Sequence, residues 1–138
     1  ALGRSDLHRQ QRRWKFYESA AAELIEWACH EFRLAAPGKD GVSLRETLQT
    51  VERMTGRTPP ELENPVEFPH VLYDLWHHYI RLRDSRPVGL AVSAIPETEI
   101  RAYCLNRGVR FSGYELRVLR ALDNTERDQA KERKGNGS

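Results

Sequence analysis

The sequence predicts an all-α protein, a compact bundle of about five helices with a long N-terminal helix. Three observations lead there. Between Pro65 and Leu122, apolar residues recur at helical spacing around Trp76. The first 35 residues contain no proline and only Gly3 as a breaker, yet they carry repeated aromatic and aliphatic positions. Capping and stopping residues bracket each apolar segment: Ser43 with Glu46, Gly56 before Pro59-Pro60, Pro87, Gly108 and Ser112.

The first helix is expected from Ser5 or Asp6 to about Leu34 (residues 6–34). One apolar stripe comprises Trp14, Tyr17, Ala21, Leu24, Ile25, Ala28 and Phe32. A second, rotated stripe comprises Phe16, Ala20, Trp27 and Leu34. Two stripes imply two surfaces to cover: either both form one wide face against the rest of the domain, or one of them meets another chain. The first two turns carry Arg9, Arg12, Arg13 and Lys15 and should be exposed. Ala36 to Gly41 reads as a loop. Ser43 then caps a short amphipathic helix bearing Leu44, Leu48, Val51 and Met54, which ends at Gly56. Residues 61–69 form a proline-punctuated connection with Leu62, Val66 and Phe68 as anchors.

The third helix is expected from Pro69 to Ser85. Val71, Leu75, Trp76, Tyr79, Ile80 and Leu82 would face inward, with Asp74, His77 and Arg81 opposite. Arg81, Arg83 and Arg86 suit the negative end of its dipole. Residues 88–94 read as an apolar loop. Ile95-Pro96 leads into a fourth helix that Gly108 ends, and Ser112 caps a fifth with Tyr114, Val118, Ala121 and Leu122 on one side. Past Leu122 the apolar pattern stops, leaving a solvated helical extension or a frayed end. The expected organisation is one helical domain over residues 1–134, with a helical subdomain over 65–123 and a flexible tail over 135–138.

Composition narrows the function. With 30% charged and 39% hydrophobic residues and a net charge of +2, the chain resembles a globular protein rather than a disordered one. The near balance of charge argues against a whole-surface nucleic-acid partner. No run is apolar and long enough to span a membrane, and a cytoplasmic location is expected. Cys29 and Cys104 sit among apolar neighbours as small hydrophobes. His70, His77 and His78 diverge on their helix, and no zinc-ligand spacing occurs. Gly38-x-x-Gly41 lacks the lysine of a phosphate loop, and no nucleophile motif is present. No enzyme, metal or cofactor is therefore expected. The fourth and fifth helices resemble a helix-turn-helix with Arg117 and Arg120 outward, but Glu115 stands where phosphates would approach, which disfavours DNA binding.

Leu44-Arg45-Glu46, Val51 through Leu62, Leu75-Trp76 with Leu82 and Arg86, Ile95-Pro96 with Glu99-Ile100 and Ala102-Tyr103, and Tyr114 through Asp123 together resemble the short tail-assembly chaperones of long-tailed bacteriophages and their prophages. The resemblance implies a non-enzymatic protein of the host cytoplasm. It would coat the helical tape-measure protein, keep its hydrophobic seams from self-association, and help deliver tail-tube subunits. On this reading the partner-contact residues are Phe16, Trp27 and Leu34 on the first helix and Leu90 and Val92 in the loop, a surface that would also serve a homo-oligomer. A structural virion component or adaptor, and a small helical DNA-binding regulator, are the alternatives.

Overall fold

A computed structural model describes residues 3–86 and 93–136. Five α-helices make up the described residues: α1 (Arg4–Ala35), α2 (Leu44–Thr55), α3 (Tyr73–Arg83), α4 (Glu97–Arg107) and α5 (Gly113–Asn136), with 3₁₀ turns at Pro60–Leu62 and His70–Leu72. The all-α expectation and the long first helix are met. No described helix is long and apolar enough to cross a membrane.

Helix boundaries follow local chemistry. At α2, the Ser43 side chain accepts from Glu46 N–H while the Glu46 carboxylate accepts from Ser43 N–H, a reciprocal box that satisfies two otherwise orphaned donors. Gly56 ends α2 at φ 73°, a left-handed conformation that a side chain would strain. The same box recurs at α5: Ser112 N–H donates to Glu115, and Glu115 N–H donates to Ser112 Oγ.

One hydrophobic cluster joins most of the chain. Ala20, Leu24, Ala28 and Phe32 of α1 pack with Leu72, Leu75, Tyr79 and Leu82, with Ile95, Ile100 and Tyr103, and with Val118, Leu119 and Leu122 of α5. Steps of four along α1 place these four residues on one side. Ala20 thus belongs to the core stripe rather than to the second stripe. Trp76 packs edge-on against Trp27 at 5.0 Å, and Trp27 packs edge-on against Phe68 at 4.8 Å. Of the expected anchors of the 61–69 connection, Phe68 packs against the core in this way, while Leu62 and Val66 are partly buried.

Two details depart from the sequence reading. The segment entering α3 opens as a 3₁₀ turn, whose tighter winding of about three residues per turn rotates Val71 off the apolar face; it is exposed. After Leu122, α5 continues as a helix to Asn136 and packs along α1. Polar contacts hold it there: Gln129 Nε2 donates to Cys29 Sγ at 3.2 Å, and the Arg133 guanidinium lies against Gly38. Of the tail expected over 135–138, residues 135 and 136 are helical, and 137–138 lie outside the described residues.

α1 and α5 run parallel. The Tyr114 hydroxyl donates to the Tyr17 carbonyl near the start of α5, and Gln129 meets Cys29 further along both helices. α5 is tied to the other elements by a buried ionic knot. Asp123, only 1% exposed, accepts through Oδ1 from Arg86 Nη2 at 2.6 Å and Nε at 3.2 Å, and through Oδ2 from Ile95 N–H at 3.0 Å. Glu126 Oε1 accepts from Arg86 Nη1 at 2.9 Å and from the Tyr79 hydroxyl at 2.6 Å, while its Oε2 pairs with Arg83. Burial is the largest single influence on Arg86 and opposes its charge, but Asp123, Tyr79 and Glu126 together outweigh it and hold the guanidinium charged. Burial, reinforced by Glu126, likewise keeps the Tyr79 hydroxyl protonated.

Removing one partner from such a pair strands the other in a low-dielectric site. Asp123→Ala should lower the unfolding free energy by about 3 kcal/mol, against about 1 kcal/mol for Ser43→Ala, which removes the α2 cap. Urea denaturation followed by circular dichroism measures both. An Asp123→Ala cost no larger than that of Ser43→Ala would show that the knot does not hold the fold.

Candidate functional site

The parallel pairing of α1 and α5 leaves a groove between them. On α1 it is lined by Trp14, Glu18, Ala21, Ala22 and Ile25; on α5 by Tyr114, Arg117, Val118 and Ala121. Both walls use the three- and four-residue steps of a single helix face. Small residues on each wall, Ala21 and Ala22 facing Ala121, leave room for another backbone to approach. The groove encloses ≈ 640 Å³ and its walls are more apolar than polar, with Glu18 and Arg117 as its charged groups. Tyr114 stands at one end with its hydroxyl occupied by the Tyr17 carbonyl, and burial pushes its pKa up.

α1 extends beyond this groove. From Arg4 to Phe16 every residue except Asp6 is exposed, an overhang of about 20 Å at 1.5 Å per residue. Trp14, 51% exposed, stands where the overhang meets the groove. Leu7, also exposed, lies two turns earlier on the same helical face. Each of these apolar side chains stands in water although the core lies close by along the same helix.

The residues proposed from sequence divide differently. Phe16 is 56% exposed and touches the Tyr17 ring edge-on. Two residues at about 100° each turn it away from Trp14 and the groove. Trp27 is half-buried between Phe68 and Trp76. Its carbonyl accepts from Asn64 Nδ2 at 3.0 Å, and Asn64 also donates to Glu31 at 3.1 Å. Leu34 is fully buried and has no surface to offer; the expectation that it faces a partner is corrected here. It lies where α1 meets the 36–43 loop, whose residues Ala36 and Gly38 are also buried. Leu90 and Val92 lie outside the described residues. Sequence reasoning missed Trp14 as a surface residue because it shares the apolar stripe of Leu24 and Ala28. Periodicity gives the face, but it does not say how far along a helix its neighbours reach.

A second apolar surface lies on α2. None of its residues is buried: Leu44 and Leu48 are partly covered, Val51 is exposed, and Met54 is 81% exposed. The amphipathic pattern expected there is real, yet Val51 and Met54 on its outer half stay exposed.

Other residues weighed for chemistry have structural roles. His78 Nδ1 lies 2.7 Å from the Tyr103 hydroxyl, His70 meets the edge of Phe68 and His77 packs on Tyr73. Arg120 donates to the Ile95 carbonyl at 2.6 Å and pairs with Glu97, so it is not free to read a base. Glu115 completes the α5 cap.

Residues 51–127 match the family model for phage tail assembly chaperones, which is more than half of the chain. The chain belongs to the phage tail assembly chaperone family. Neither a curated protein nor a solved structure matches it. The matched segment of the chaperone contains α3, α4, the ionic knot and the α5 wall of the groove. Its α1 wall lies outside, so the groove joins a family element to one that the family model does not cover.

His78 supplies a pH test. Burial, followed by the nearby Arg81 charge, lowers its pKa below the usual value of 6.5. A base whose folded pKa is depressed contributes nothing at high pH. It destabilises the fold once the unfolded chain protonates, with the loss growing from about pH 6.5 down through the folded pKa. Imidazole NMR should show His78 titrating below the ordinary histidine value of about 6.5, and His78→Gln should flatten part of the fall in melting temperature below about pH 6.5. A His78 midpoint at or above about 6.5 would contradict the assignment.

Proposed function

We propose that this chaperone works without catalysis in the host cytoplasm. It holds amphipathic helical segments of the tape-measure protein in the α1–α5 groove and so keeps them soluble while the tail tube assembles. The observation that carries the proposal is the groove itself. It has two parallel helical walls with apolar, small-residue linings, and a half-exposed tryptophan stands at its mouth. A third helix laid along such a pair buries its apolar stripe as in a helix-in-groove complex. Family membership supports a tail protein as the client.

The energetics suit a chaperone that must let go. Burying a single large side chain such as Trp14 contributes about 1.5 to 3 kcal/mol, from which ordering and association costs are subtracted. A few such contacts give a reversible grip. Phe16, on the far side of α1, would contribute little to this contact.

Co-expression with a tape-measure fragment tests the reading: the fragment should be more soluble with the chaperone than without it. Trp14→Ala should weaken capture by about 2 kcal/mol, roughly thirtyfold in Kd, whereas Phe16→Ala should change it less than about threefold. Equal losses for the two variants would move the contact off the groove. No gain in solubility would remove the tape-measure assignment.

A further inference from the structure

The groove has a direction, and charge marks it. The overhang from Arg4 to Phe16 carries Arg4, Arg9, Arg12, Arg13 and Lys15 against Asp6 alone, in a chain whose net charge is only +2, so the remainder is net acidic. Asp6 is already engaged, pairing with Arg9 at 3.5 Å. Counting about 100° per residue from Trp14, Leu7 continues the apolar groove face onto the overhang, Gln10 and Gln11 lie beside it, and Arg4 and Lys15 both border it along one edge. The groove therefore opens at one end onto a basic, partly apolar ledge. Because α1 and α5 run parallel, both N-termini, the positive ends of their dipoles, point toward that same end.

From this asymmetry we infer that the occupant of the groove is an amphipathic helix whose C-terminal turns are acidic, bound antiparallel to α1 and α5. Its apolar stripe would lie against Ala21, Ile25 and Val118, and its acidic end would rest on the ledge beside Arg4 and Lys15. In that orientation the occupant's own negative dipole end meets the basic overhang, so side-chain charge and backbone dipole favour the same direction. A parallel occupant would bring its positive end to the same place and lose both terms. Glu18 and Arg117, facing the middle of the groove, offset one another and leave the end charges to set direction. The inference rests on the groove reading above and adds to it the charge and polarity of the client.

Fluorescence anisotropy on the intact chaperone tests it with three labelled peptides sharing one leucine stripe. One carries glutamates in its last two turns, one carries lysines there, and one carries glutamates in its first two turns. At low salt the first should bind about tenfold more tightly than the second, as two or three exposed charge pairs and the dipole allow, and more tightly than the third. The gap should close at about 0.5 M salt, where screening reaches only a few ångströms. Arg4→Ser with Lys15→Ser should reduce the preference to about threefold or less and keep the residual binding. If all three peptides bind equally and Trp14→Ala weakens each, the charge assignment falls while the groove survives. Tighter binding of the third peptide overturns the antiparallel orientation. No binding of any peptide, or binding indifferent to Trp14→Ala, removes the groove itself. Sedimentation showing that the chaperone self-associates through Trp14 would make a second copy the occupant and overturn the inference.

Discussion

The carboxylate of Asp123 holds this fold together. It lies one residue past the last leucine of the α5 core stripe. There it accepts the guanidinium of Arg86, from the turn after α3, and the N–H of Ile95, just before α4. One buried charge thus fixes where two chain segments arrive on α5. Glu126, a turn further on, accepts from Arg86 Nη1 and from the Tyr79 hydroxyl, which itself accepts from Arg86 Nη2. Stranding a charge in the interior costs more than the pair gains over an apolar replacement. The knot therefore discriminates strongly against misdocked arrangements even where its net contribution to stability is modest. Arg120, reaching the Ile95 carbonyl from the same helix, fixes this junction from the other side.

With α5 positioned, the place of α1 follows. Its residues Ala20, Leu24, Ala28 and Phe32 are drawn into the core, and the Tyr114 hydroxyl meets the Tyr17 carbonyl. The two helices meet from about Tyr17 onward, so the turns before it stand clear. The open groove and the overhang are thus two results of one packing arrangement. Alanines line both facing walls of the groove, and the half-exposed Trp14 gives it an apolar lip. The knot lies within the segment that shows the family, whereas the lip belongs to a helix outside it.

The α2 helix shows the same separation of local and global causes. Its capping box and left-handed Gly56 specify where it starts and stops, and the link between Arg45 and Glu31 at 2.7 Å holds it to α1. Its docking is shallow, so Val51 and Met54 remain in water. Local chemistry made the helix, but it did not bury its apolar face.

Much of this was legible in the residues alone. Ser43-x-x-Glu46, Gly56, Gly108 and Ser112 set helix limits because capping is settled within a few residues. The steps Leu24-Ala28-Phe32 and Leu75-Tyr79-Leu82 gave core faces because a helix repeats about every 3.6 residues. The order of landmarks from Val51 to Asp123 led to the family. Pairing across the chain is not written in any local window. That Arg86 meets a carboxylate 37 residues away, that Leu34 is sealed while Trp14 is open, and that the charged end of α5 packs on α1 all depend on how far each helix overlaps its neighbour. That overlap is a balance of contacts among all the elements at once, so only the tertiary structure could decide which apolar residues were left for a partner.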